Sequence, residues 1–226
     1  MASQDFRIPA PLDPWDDEAV KRSLRDYFFG NDEKRPNEGA SFNTLGHGWR
    51  EPGSKNVLTA FDLLSLSTLS VAVEAASTVA VLQSGFLDDC HELLVDIPVS
   101  TRIVDDRAWD LLGSGGAAHA LWNKFTTVPG FGDTRASKLL ARKRPLLVPI
   151  YDDFVRAAVG IPNSHHFWEP MRDSLMADES TLYKRAEAAR IDLGLPDDIT
   201  PLRVIDVVLW RVGATKMGPR RTGSSR

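Results

Sequence analysis

Between two stretches of helical periodicity the chain carries Val128-Pro129-Gly130-Phe131-Gly132, and this short glycine hairpin constrains the fold more than any other segment. Pro129 cannot continue a helix. The glycines around a single apolar residue allow positive φ and so a tight reversal of the chain. A reversal that short brings the helices on either side, Ala117 to Thr127 and Thr134 to Ala141, against each other. Ala136 supplies a small residue where they cross.

Cap and stop signals predict helices along the rest of the chain. Asp16 caps a helix running through Phe29 and ended by Gly30. Thr59 opens another, with Asp62 three residues on as in a capping box and Leu63, Leu64, Leu66 and Leu69 as its apolar stripe. Further helices are expected from Ala75 to Gln83, Leu87 to Val95, Asp105 to Leu112, Asp152 to Val159, His166 to Ala177 and Thr181 to Ile191. Thr200 as cap with Pro201 at the first helical position starts a last one, ending at Gly213. Strand signals are confined to Leu69–Val73 and Leu146–Val148, which stand alone. The expected fold is therefore all-α, a multi-helix globular body of one or two lobes. Residues 1–15 read as an irregular arm, 16–214 as the helical domain with the hairpin unit at 117–141, and 215–226 as a disordered basic tail. The polar segment 31–56 is a long loop, a kind usually functional or disordered.

Hydrophobic residues make up 42% of the chain, enough to bury a core, yet no apolar run approaches the ~20 residues of a membrane helix. Membrane insertion is not expected. Cys90 is the only cysteine, which excludes an internal disulfide and a cysteine-ligated cluster, and together with an acidic N-terminus lacking an apolar signal region it points to the cytoplasm. The net charge of −4 argues against a general coat on nucleic acid but leaves room for a local basic face.

The hairpin itself is suited to an anion. Gly130 and Gly132 leave no Cβ in the way, so the N–H groups of the hairpin and of the next helix's first turn can converge on a phosphate. A bridging monovalent or divalent cation is the one cofactor such a nest invites. Arg135, Lys138, Arg142, Lys143 and Arg144 follow directly, and are expected to form a basic face beside it; a solvated helix face is the plainer reading of the same charges. Contacts of this kind position a backbone and do not read bases. The expected nucleic-acid-binding residues are Gly130, Phe131, Gly132, Thr134, Arg135, Lys138 and Arg142, and the expected partner is DNA.

From Phe125 to Val159 the chain resembles the helix–hairpin–helix DNA glycosylase superfamily. There the hairpin is followed, after a proline-containing connector, by a catalytic aspartate in a V-D-T-H-V-x-R setting. The matching stretch here is Pro149-Ile150-Tyr151-Asp152-Asp153-Phe154-Val155-Arg156. The resemblance places Asp152 on the catalytic position, while Asp153 and Phe154 depart from Thr-His. It places Thr134 where some members carry a nucleophilic lysine, which implies a monofunctional enzyme that releases a base without a Schiff base. A carboxylate there would stabilise the positive charge that builds on the sugar; as a plain reading, Asp152 or Asp153 simply caps the helix. The N-terminal part, including Asn56-x-Leu58-Thr59-x-x-Asp62-Leu63, resembles a bacterial family of uncharacterised proteins.

Other residues carry weaker signals. Asn43, His47 and Trp49 sit in the glycine-rich part of the long loop, where Trp49 would stack on an extruded base or else anchor the loop. His165 and His166 lack ligand-spaced partners beyond Glu169, so no metal site is expected, and Cys90 with His91 lacks a third partner for nucleophilic work. Trp122, Trp168 and Trp210 read as core. Asp206 reads as a helix-face charge or as the partner of a buried arginine, Arg211 or Arg156. Two readings stand beside the glycosylase-like one: a nucleic-acid-binding module without chemistry, and a protein-interaction domain in which the glycines serve packing alone.

Overall fold

The computed structural model describes residues 6–31, 33–46, 48–161 and 167–218. His47, His165, His166 and the tail arginines Arg220, Arg221 and Arg226 lie outside them. Among the described residues every regular element is a helix, and the β pairing is a single bridge between Asn31 and Lys34.

Local chemistry accounts for where the helices begin. In α1 (Asp17–Phe28) the Asp16 carboxylate accepts the Ala19 N–H at 3.0 Å, and Val20, Leu24 and Tyr27 form the buried stripe. α2 (Ala60–Thr68) opens on the expected Thr59–Asp62 capping box. α3 (Ala75–Val81), α4 (Ser84–Val95), α5 (Ala108–Leu112) and α6 (Ala117–Thr126) follow. Gly85 lies in the first turn of α4 and does not separate two helices. The hairpin leads into α7 (Asp133–Lys143), and Asp152 caps α8 (Asp153–Val159), which Gly160 ends at φ +83°. α9 (Trp168–Asp192) is interrupted at Ala177–Ser180, where the backbone leaves the helical region. α10 (Pro201–Met217) starts at Thr200-Pro201 as expected.

Two expectations about the C-terminal end are corrected. Gly213 does not stop α10, which runs on to Met217, so the first residues of the expected tail are helical. Lys216 there donates to the carbonyls of Ala157 (3.3 Å) and Ala158 (2.8 Å), at the open end of α8. Gly213 is instead the crossing point of α10 and α8: a Cβ on it would run into the Phe154 carbonyl.

α10 packs on α8, α9 and α1, whereas α7 packs on α6 and α2, and α6 on α4 and α5. The two groups share one continuous hydrophobic core. α7 is its least ordinary member. Every residue from Ala136 to Lys143 is buried although the sequence there is rich in cations. The expected basic face therefore turns inward. Arg142 donates to Asp62 Oδ1 at 3.2 Å and to the carbonyls of Phe42 and Leu45. Lys143 reaches Ser54 O at 2.7 Å, Val57 O at 2.9 Å and Asp62 Oδ2 at 3.1 Å. Arg144 has no carboxylate and is satisfied by the carbonyls of Ile97 (2.6 Å), Lys55 (2.8 Å), Lys143 (2.8 Å) and Leu94 and by Asn56 Oδ1 (2.7 Å). Burial pulls its guanidinium down to about 10, far enough above neutrality to keep the charge. Burial pulls the Lys143 ammonium down as well, against the pull of Asp62.

Two substitutions check this framework. Gly→Ala within a helix ordinarily stabilises by up to about 1 kcal/mol, but Gly213→Ala should cost about 2 kcal/mol or more through overpacking against α8. Asp62→Ala leaves two buried cations without their carboxylate and should cost about 3–5 kcal/mol. Urea unfolding curves of the two variants against the parent chain measure both.

Candidate functional site

A cleft of about 370 Å³ opens between α1, the end of α2, α7, α8 and α10. Its walls are partly aromatic. Trp210 stands edge-on to Tyr27, with ring centroids 5.8 Å apart, and edge-on to Phe154, also at 5.8 Å. Its floor is formed by charged side chains that are themselves nearly buried. Asp152 Oδ1 accepts the N–H groups of Phe154 and Val155, both at 3.0 Å, and its Oδ2 pairs with Lys138 Nζ at 3.1 Å. Asp152 thus caps α8 and lines the cleft at once. From α10 come Asp206 and, one turn before it, Arg203. Arg203 donates to Asp206 Oδ2, to the Tyr27 hydroxyl at 2.7 Å and to Gly39 O at 2.8 Å. Gly39 has to be glycine, since a Cβ would collide with the Tyr27 hydroxyl.

The hairpin adjoins this cleft through α7, whose Thr134 and Lys138 line it. Gly130 has φ +80°, the left-handed geometry that glycine permits, but Gly132 is extended at φ −85° and any residue would fit its backbone. A Cβ on Gly132 would meet nothing within 4 Å, so that stretch of main chain is bare to solvent. The N–H groups of Gly132 and Thr134 have no acceptor among the described residues. Other parts of the hairpin are already engaged. Phe131 is buried, and its N–H donates to Val128 O at 2.9 Å. Pro129 O accepts from Ser77 Oγ at 2.7 Å. Arg135 donates to Gly130 O and to Ala72 O (2.8 Å), so a guanidinium already occupies the Gly130 carbonyl of the hairpin.

Several sequence expectations are therefore revised. Arg142 is only 2% exposed, with its guanidinium spent on protein acceptors, and cannot meet a phosphate. Lys138, 3% exposed, is the counter-ion of Asp152 and not a surface contact. Phe131 anchors the hairpin from inside. Asn43 and Trp49 are buried away from the cleft: Asn43 borders a void of about 10 Å³ beneath its floor, and Trp49 carries the Arg50 guanidinium 4.8 Å above its ring. The aromatic walls come instead from Tyr27, Phe154 and Trp210; in the sequence Trp210 reads as core and Phe154 only as a departure from the Thr-His of the glycosylase pattern. Asp206 pairs with Arg203, while Arg211 pairs with Asp26 and Arg156 with Asp153, both at 3.1 Å. The i, i+3 spacing of Arg203 and Asp206 was the available signal.

A family model matches residues 20–213, a span holding all of these cleft residues. The chain belongs to DUF6308, a family of unknown function. No curated protein and no solved structure matches it.

Electrostatics separate the groups of this DUF6308 chain. Burial pushes the Asp206 carboxyl up to about 6, and the nearby Asp152 charge adds to the push, while Arg203 and Lys138 oppose it. Burial also raises the Tyr27 hydroxyl, against the pull of Arg203. Cys90 is fully buried and its thiol is pushed up to about 12, so it is no nucleophile near neutrality. Among the described residues no helix is long and apolar enough to cross a membrane, and no three His, Cys, Asp or Glu side chains gather as a metal site would need.

A carboxyl raised in the fold stabilises the folded state most below its unfolded value, and that contribution fades as pH rises through the folded value. For Asp206 the window lies between its ordinary 3.8 and about 6. The parent chain should lose on the order of 2 kcal/mol through this group between pH 4 and 7, and Asp206→Asn should lack that loss. Denaturant unfolding of both proteins across the range tests it, with equal pH slopes the contrary result.

Proposed function

We propose that this chain holds a nucleic-acid strand at the hairpin and acts on a nucleotide turned out into the cleft, as a monofunctional DNA glycosylase-like hydrolase in which Asp152 serves the sugar. One observation carries the reading: a single helix, α7, presents bare backbone donors at its start and pairs Lys138 with Asp152 about one turn later. That separation, about 6 Å along the axis from Thr134 to Lys138, is on the scale of one nucleotide step. The cleft suits a nucleoside in size, and its aromatic walls offer stacking faces and edges to an extruded base. Base release builds positive charge at the sugar, and a carboxylate fixed by two backbone N–H groups and an ammonium is preorganised to stabilise it. Thr134 offers no amine for a Schiff base, in keeping with hydrolysis.

A second reading, a protein-interaction domain without nucleic acid, is favoured by the surface charge. Among the described residues the buried cations are Lys138, Arg142, Lys143, Arg144 and Arg203 and the buried carboxyls Asp62, Asp152 and Asp206, so burial takes more positive than negative charge off their surface. Nucleic-acid contact on such a surface is confined to the hairpin.

Two experiments decide between these. Gly132→Ala leaves the backbone geometry and packing intact but puts a methyl on the donors. It should weaken binding to a short labelled duplex about tenfold, while the parent chain shows a shallow salt dependence, a log–log slope of about −1 to −2 for one or two phosphates. Neither protein binding at all supports the second reading, while parent and variant binding alike overturns the hairpin as the point of contact. Asp152→Asn keeps an equally good helix cap and should abolish base release with duplex binding retained.

A further inference from the structure

The cleft floor holds two carboxyl groups in different circumstances, and that difference assigns a second chemical role. Asp152 acts only as an acceptor, taking three donors on its two oxygens. Asp206, from α10, receives Arg203 on Oδ2 and has no partner for Oδ1 among the described residues. It is 7% exposed and lines the same cleft. Arg203 is in turn held by Tyr27 and Gly39, so the carboxyl has a fixed orientation.

We infer, resting on the reading above, that Asp206 is the proton donor to the departing base while Asp152 stabilises the sugar. As the C1′–N bond breaks, its electron pair passes to the base nitrogen, which takes the proton from Asp206. The sugar cation, facing Asp152, is captured by water. The proton that water sheds restores Asp206, directly or through solvent, so the sum is nucleoside plus water to free base plus sugar hydroxyl. The groups facing Asp206 are Arg203 on its own helix, Tyr27 from α1, Lys138 from α7 and Asp152 from α8. Burial, reinforced by the Asp152 charge and opposed by Arg203 and Lys138, raises the Asp206 carboxyl to about 6, so about half of the molecules carry the proton at that pH, as a general acid requires. Two carboxyls in unlike surroundings, Asp152 with both oxygens engaged by donors and Asp206 with only Oδ2 engaged, are the arrangement that divides acid work from charge stabilisation.

The role makes a demand that a merely structural residue would not. A neutral base leaves as a poor, anionic leaving group unless a proton is supplied, whereas an N7-alkylated purine already carries the positive charge and gains little from one. The test compares the parent chain, Asp206→Asn, Asp206→Glu and Asp152→Asn on duplexes carrying hypoxanthine or uracil and on one carrying 7-methylguanine, from pH 5 to 8. The inference expects parent release of the neutral bases to decline above about pH 6. Asp206→Asn should lose about 10²–10⁴-fold on those bases, keep release of 7-methylguanine within a few-fold, and show no decline near pH 6. Asp206→Glu should restore part of the loss, and Asp152→Asn should fail on every duplex. Equal loss by Asp206→Asn on neutral and alkylated bases, with parent activity present, overturns the assignment of Asp206 alone. No release from any duplex by the parent chain overturns the glycosylase-like reading, and this inference with it. Thermal melts confirm that each variant is folded.

Discussion

Three consecutive cations at the end of α7 are what the 42–57 loop is folded around. A loop without regular structure leaves carbonyls that must find donors once water is excluded. Arg142, Lys143 and Arg144 supply them, to Phe42, Leu45, Ser54, Lys55 and Val57, and Arg144 also closes the open end of α4 through Leu94 and Ile97. One carboxylate, Asp62, balances two of these charges while capping its own helix. The burial of three positive charges is tolerable because each meets several oxygens in fixed positions. The arrangement joins the long loop, α2, α4 and α7 into one piece, and α7 carries the hairpin.

The cleft repeats the same physical idea on a smaller scale. Its floor is a chain of paired groups running from the α8 amides through Asp152 and Lys138, with Asp206, Arg203 and Tyr27 alongside. Four helices contribute to it, so no short segment of sequence contains it. Aromatic rings form part of the sides, and the floor groups are nearly buried, which strengthens the electrostatic effects between them.

How much of this was legible follows from the range of each interaction. Caps are local, and Asp16, Thr59 with Asp62, Asp152, and Thr200 with Pro201 all marked helix starts correctly. The all-helical class followed from them. Burial of cations is not local. Arg142, Lys143 and Arg144 read as a surface run because charged residues usually are, and the carbonyls that bury them lie far away in sequence. Gly213 read as a stop because glycine often ends helices, whereas its partner is the Phe154 backbone on another helix. Asp152 was found through its resemblance to a known pattern. Asp206 was noticed, but with the wrong arginine, although Arg203 stood one turn away.

The close crossing of α10 over α8 has a mechanical consequence. Asp206 rides on the first of these helices and Asp152 caps the second, while Gly213 brings their backbones together and Lys216 ties the far ends. The two carboxyls therefore stand on helices whose backbones are in contact, which ties their spacing to that crossing, while the segment between α2 and α3 lines the cleft with Ser70 at φ +57°, a geometry few residues other than glycine adopt.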